Sequence, residues 1–251
     1  MIIDTILNYS PNFDLKKRKP QEIKFIIFHY TGMKKEIDSI NKLTNYTSKV
    51  SSHFFIKKNG EILSLVPELY IAWHAGVSNW KNFKSINKNS IGIEISNPGH
   101  DNNYKKFTSN QIKSVLKLSK YLIRKYKIKY NFILGHSDIA PERKKDPGEK
   151  FPWQYLSKRK IGYWHTVNNK ILLKLRNQKV SKLDKNNFLI NLKKIGYAKN
   201  LRKNNNKLTT MFISAFQRRF RQELINGIID KDRDSLVFGV APDRSVRLRP
   251  G

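Results

Sequence analysis

The chain has 251 residues, enough for one large domain or two modest ones. Fifty Lys and Arg against nineteen Asp and Glu leave a formal net charge of +31, more than a compact fold requires, so the excess concerns solubility or anionic partners. The absence of cysteine excludes disulfides, thiolate metal sites and cysteine nucleophiles, while an apolar content of 39% excludes wholesale disorder.

No apolar run is long enough to cross a bilayer. The opening MIIDTILNYSPNFDLKKRKP has its apolar stretch ahead of the basic cluster Lys16–Lys19, which is not the order of an export signal. Residues 1–20 read as an irregular segment ending at Pro20. Ile23–Tyr30 (IKFIIFHY) is a short, nearly continuous apolar run and predicts a buried strand. Lys34–Asn45 predicts a helix through Ile37, Ile40 and Leu43. His53–Ile56 and Glu61–Val66 flank Asn59–Gly60, a hairpin signal. In Ser90–Ser96 (SIGIEIS) the isoleucines 91, 93 and 95 face one way and Gly92 and Glu94 the other, a strand with a carboxylate on its second face.

Thr108–Tyr126 keeps a helical stripe of Ile112, Val115, Leu116, Leu122, Ile123 and Tyr126, and Thr108 with Gln111 has the form of a capping box. Asn131–Leu134 predicts another short strand running into Gly135–His136. Strands and helices thus alternate to about residue 160, an α/β pattern with a mixed central sheet flanked by helices. Beyond it the texture becomes rich in Lys and Asn. Met211–Leu224 spaces Phe212, Phe216, Phe220 and Leu224 four apart, an amphipathic helix within a smaller, all-helical C-terminal domain. The expected division is 1–165, 180–235 and an irregular tail at 236–251.

Three origins of the charge are open: a Lys/Asn bias on solvated faces, attraction to an anionic polymer or membrane surface, and nucleic-acid binding, for which no reading module is found. Six histidines occur, at 29, 53, 74, 100, 136 and 165. His29 ends one apolar strand (FIIFHYTG) and His136 ends another (FILGHSDIAP), so both can converge at a sheet edge. Asp146 follows ten residues after His136 in a loop bounded by Pro141 and Pro147. Two imidazoles and one carboxylate are a three-ligand set for zinc with a fourth position left open, though ligand chemistry alone also permits Fe(II) or Mn(II). Asp146 has an alternative reading as a helix cap or a partner of Lys144 or Lys145, and Glu94 as a surface carboxylate. His53 reads as a packed or supporting residue, Trp73 as groove wall or core, and His100 and His165 as incidental.

The segments FHYTG, SSHFFI, LVPELYIAWHAG, SIGIEISNPG and GHSDIAPERKKDPGEKFPW resemble, in order and spacing, those of the type-2 N-acetylmuramoyl-L-alanine amidases, most closely the two-domain AmiD type. FLINLKKIGY and AFQRRFR resemble weakly its peptidoglycan-binding-like helical domain. The resemblance implies one zinc ion held by His29, His136 and Asp146, Glu94 as general base and Lys144 steadying the transition state. It places Tyr30, Thr31, His74 and Ala75 along the substrate groove. The implied reaction is hydrolysis of the amide between N-acetylmuramic acid, 1,6-anhydro forms included, and L-alanine in peptidoglycan or its fragments. The alternative is a module that recognises muropeptides without cutting them. A cell-envelope location (periplasm or outer membrane) is expected, the cytoplasm being the alternative because no leader is visible.

Overall fold

The computed structural model of the protein describes residues 3–168, 170, 174, 178, 180–197 and 206–230; the expected tail at 236–251 lies outside them. The strands are β1 (Ile6–Leu7), β2 (Phe13–Asp14), β3 (Phe25–Tyr30), β4 (Phe54–Ile56), β5 (Ile62–Ser64), β6 (Ile71–Ala72), β7 (Asn79–Trp80), β8 (Phe83–Lys84), β9 (Ser90–Ile95) and β10 (Ile133–Gly135). The helices are α1 (Glu36–Thr44), α2 (Ser109–Tyr126), the single turn α3 (His136–Ile139), α4 (Trp153–Ser157), α5 (Lys182–Ile195) and α6 (Asn206–Phe220). Six strands form the central sheet in the order β1-β5-β4-β9-β3-β10. Strands β4, β9, β3 and β10 run parallel, while β5 pairs antiparallel with β4 and parallel with β1. The sheet is therefore mixed, as the alternating pattern implies.

Strand β3 lies between β9 and β10 and is buried on both faces, which is why its sequence is an apolar run rather than an alternation. One face, with Ile26, Phe28, Ile91, Ile93 and Ile95, packs against Val115, Leu118 and Leu122 of α2 and against Phe151, Trp153 and Leu156 around α4. The capping box of α2 forms as read: Thr108 Oγ1 accepts from the Gln111 amide and Gln111 Oε1 from the Thr108 amide. Gln111 Nε2 also donates to the Ser96 carbonyl at 2.7 Å, tying the helix start to the end of β9.

The second face is divided. Phe55, Leu63 and Leu65 are covered from α1 by Leu43 and Ile40. Phe25, Ile27, Leu134 and Ile139 share one apolar cluster with Phe188, Leu192 and Ile195 of α5 and with Phe212, Ile213, Phe216 and Phe220 of α6. The described C-terminal helices therefore close over the sheet itself. Between these two covers the face carries His29 and Glu94, paired in register at the C-terminal ends of β3 and β9.

Two expectations change. The opening segment is not wholly irregular, because β1 adds an edge strand to β5. The last amphipathic helix runs 206–220 instead of 211–224. Arg221 is buried and its guanidinium donates to the Leu224 carbonyl and to Asp230, which turns the chain back and leaves Leu224 43% exposed.

Phe216 is fully buried and meets Phe188, Tyr197 and Phe220. Phe216→Ala is expected to destabilise the protein by about 3–5 kcal/mol, read from denaturant unfolding. A loss under about 1 kcal/mol, as at a tolerant surface position, would show that the helices are peripheral to the core.

Candidate metal centre and active-site groove

His29 ends β3, and His136 follows Gly135 at the end of β10, the neighbouring strand. Asp146 returns to them on a loop whose carbonyl accepts from the Ser137 amide at 2.8 Å. The two Nδ1 atoms stand 2.9 Å apart, and each lies 3.0 Å from Asp146 Oδ2. All three side chains are buried and form a group able to hold one metal ion.

The surrounding hydrogen bonds decide where the protons are. Ser90 Oγ has one proton, and it goes to the Ile86 carbonyl at 2.7 Å, which can only accept. The His74 Nε2, 3.0 Å from that oxygen, must then donate to it. In neutral His74 this leaves Nδ1 as an acceptor, so His29 Nε2 donates to it at 3.0 Å. The Nδ1 of His29 is consequently a bare lone pair. On the other side, His136 Nε2 donates to the Ala75 carbonyl at 3.1 Å and turns its own Nδ1 inward. Three lone-pair atoms thus face one another with no proton assigned between them, a donor set completed by a cation.

The titration of the cluster agrees. Burial, reinforced by His136, lowers His29 to about 4, so the ring is neutral near physiological pH. Burial works against the Asp146 carboxylate, but the His136 and His29 rings beside it outweigh burial and hold the group well below the ordinary carboxylate range.

Glu94 behaves in the opposite way. Burial first, then the nearby Asp146, push it up to about 8, with Lys144 opposing. Its Oε2 has no hydrogen-bond partner although it is shut off from bulk solvent. Glu94 lines a cavity of about 350 Å³ together with His136, Lys144, Asp146, Tyr30, Thr31, His74 and Trp73. A half-buried glutamate with one enclosed, partnerless oxygen, lining the same cavity as His136 and Asp146, marks a candidate active site.

Residues 19–149 match the family described as N-acetylmuramoyl-L-alanine amidase. The chain is 34% identical over 228 residues to N-acetylmuramoyl-L-alanine amidase AmiD of Escherichia coli, covering 86% of this chain and 81% of the relative. The chain belongs to the N-acetylmuramoyl-L-alanine amidase family. The solved complex of AmiD with the substrate anhydro-N-acetylmuramic acid-L-Ala-D-gamma-Glu-L-Lys superposes with a TM-score of 0.77 at 32% identity, covering 87% of this chain and 88% of that one. AmpDh3 of Pseudomonas aeruginosa, solved with anhydromuramic pentapeptide, gives 0.77 at 27% identity over 96% of this chain and 97% of that one.

Within this amidase the groove residues divide. Tyr30 and Thr31 border the cavity, as does Lys144. His74 touches it too, but both ring nitrogens are committed to His29 and Ser90, and Ala75 is fully buried with its carbonyl engaged by His136 and Arg143. Both residues thus contact the histidine pair directly, and His74 does so from the cavity wall. His53 is buried under His74 and accepts from the Gly92 amide through Nδ1. Several participants escape sequence reasoning. His100, read as incidental, bonds the Tyr30 hydroxyl at 2.8 Å and Glu149 at 3.0 Å and stacks on Tyr104, backing the lining residue Tyr30. Arg143, in the charged run 142–145, donates to the Ala75 and Val77 carbonyls and joins two loops at the rim. No spacing in the sequence announces these contacts.

Gly92 explains one close approach at the site. A Cβ there would lie 2.4 Å from the His74 ring, so only glycine lets that ring rest on β9 and reach His29. Gly92→Ala is expected to displace His74 and weaken metal binding in a folded protein, measured by chelator competition; undiminished affinity would show that His74 does not orient His29.

Glu94 also makes a signed prediction for stability. Between its ordinary value of 4.5 and about 8 the folded metal-free protein keeps a proton that the unfolded chain has released. Stability therefore falls as pH rises through that window. Glu94→Gln removes this slope. The variant is expected to be more stable than the parent near pH 8, and the two should converge toward pH 4.5, read from urea unfolding of the metal-free proteins.

Proposed function

We propose that this amidase holds one zinc ion through His29, His136 and Asp146 and cleaves the amide between the lactyl carbonyl of N-acetylmuramic acid, anhydro forms included, and L-alanine. The observation that carries this reading is the partnerless Glu94 oxygen at the mouth of a three-lone-pair cluster. Two neutral imidazoles and one carboxylate suit zinc with an open fourth position. Bound there, zinc polarises the carbonyl and makes water acidic enough to lose a proton near neutral pH.

The remaining work falls to the side chains. Glu94 accepts the proton of the attacking water and returns it to the departing amine, so proton and leaving group balance. Lys144, on the cavity wall, sets its ammonium toward the developing oxyanion. His74 and Ser90 keep the His29 lone pair aimed inward. Tyr30 and Thr31 border the path of the substrate, and Trp73, partly exposed on the same wall, offers an apolar face to a sugar. Lys42 and Lys145 add positive charge at the rim, which suits a peptide bearing free carboxylates.

We place the enzyme at the cell envelope, because similarity to AmiD spans both the sheet and the C-terminal helices. None of the described helices is long and apolar enough to cross a membrane.

Glu94→Ala is expected to keep zinc and lose about 10²–10⁴-fold in kcat. His29→Ala and Asp146→Ala should lose both metal and activity. Lys144→Ala should lower kcat by about 10²–10³-fold with zinc retained. Metal analysis and fragment-resolved digestion of anhydro-muropeptides, reducing muropeptides and sacculi, with and without chelator, read these outcomes. Bound zinc without release of peptide would reduce the chain to a recognition module.

A further inference from the structure

Two residues beyond His136, Asp138 is 2% exposed and carries a full set of partners. Its Oδ2 accepts from the Gly135 amide at 2.8 Å and from Arg219 Nη1; its Oδ1 accepts from the Tyr197 hydroxyl. Arg219, on α6, also donates to the Ile133 carbonyl at 3.0 Å and lies 4.0 Å over the Trp153 ring. Tyr197 follows α5 directly. All three side chains are buried. The C-terminal segment thus grips the Ile133 carbonyl, before His136, and the side chain of Asp138, after it, which in turn holds the Gly135 amide.

A buried ion pair is a poor device for stability alone. Desolvation offsets most of its attraction, and an apolar substitute of similar volume often serves as well or better. What such a pair does impose is geometry, since each partner accepts few arrangements. Here the residue enclosed by the arrangement is a member of the three-atom cluster.

We propose that Asp138, Arg219 and Tyr197 form a positioning device for His136, through which the C-terminal helices set the affinity of the metal centre. This rests on His136 being a metal ligand. The helices are then a working part of the site, whatever they contribute to wall attachment.

The test uses the full chain stripped of metal, with zinc(II) titrated against a chromophoric chelator well below the unfolding temperature. Arg219→Lys keeps the charge and loses the fork, and Asp138→Asn keeps the shape and loses the charge. Each is expected to weaken zinc binding by about 10-fold or more, as removal of supporting partners does elsewhere. Tyr197→Phe deletes one hydroxyl and should weaken it by less. Phe188→Leu loosens the same helices away from the triad; it should lower the melting temperature and leave zinc affinity unchanged. Folded Tyr197→Phe and Arg219→Lys proteins with parental zinc affinity would overturn the proposal, as would equal weakening by Phe188→Leu. Should the two charged variants fail to fold, Tyr197→Phe alone decides. His136→Ala is the separate control: if it binds zinc as the parent does, the ligand assignment has failed, independently of the triad.

Discussion

Three lone pairs pointing at one another within about 3 Å repel unless a positive charge joins them, and a chain left to itself would swing them apart. The rest of this structure can be understood as what prevents that. His29 is held by the hydrogen-bond sequence through His74 and Ser90 to the Ile86 carbonyl, and His136 by the Ala75 carbonyl. Each support fixes a ring orientation and a tautomer together, which packing alone cannot do. Chain ends of two adjacent parallel strands supply the anchoring, since a sheet edge is the stiffest place from which a side chain can project.

The two faces of the sheet serve different purposes. The face beneath α2 is apolar from end to end and supplies stability. The other is apolar where α1 covers Phe55 and Leu63 and where α5 and α6 cover Phe25 and Ile27 at the start of β3. Two residues on, the same face carries His29, and β9 places Glu94 beside it. One strand register thus separates core from chemistry. A shift of one residue in β3 would send His29 into the apolar layer, so the pairing with β9 and β10 that fixes the register of β3 also secures the site.

Most of this was legible from residue order because it depends on short-range periodicity. The alternation in SIGIEIS assigns Glu94 to the face opposite the isoleucines, and the structure agrees. The Thr108–Gln111 box starts α2 where expected. His29 and His136 could be placed at strand ends, and their meeting with Asp146 follows from motif order. What stayed hidden depends on contacts across long separations. Ser90 reads as the first residue of a strand, Arg143 as one more cation among fifty, and His100 as a loop histidine. Their roles arise from partners 16 to 70 residues away or from carbonyl groups that have no sequence signature. The end of α6 was missed for a similar reason: the 3.6-residue spacing continues to Leu224, but the buried Arg221 finds its partners only if the helix stops.

The two carboxylates nearest the centre finally separate by environment. Asp146 and Glu94 share one cavity and differ in their neighbours: Asp146 Oδ2 lies 3.0 Å from the Nδ1 atoms of both rings, while Glu94 Oε2 has no hydrogen-bond partner. The first is held ionised and suits a ligand; the second is pushed up to about 8 and suits proton transfer. Divergence of two neighbouring acids is the usual mark of divided roles in an active site. Here it needs no unusual residue, only two imidazoles set against one carboxylate and a cavity before the other. A bound cation would draw Glu94 downward, so metal loading and readiness of the base are coupled through the same few ångströms.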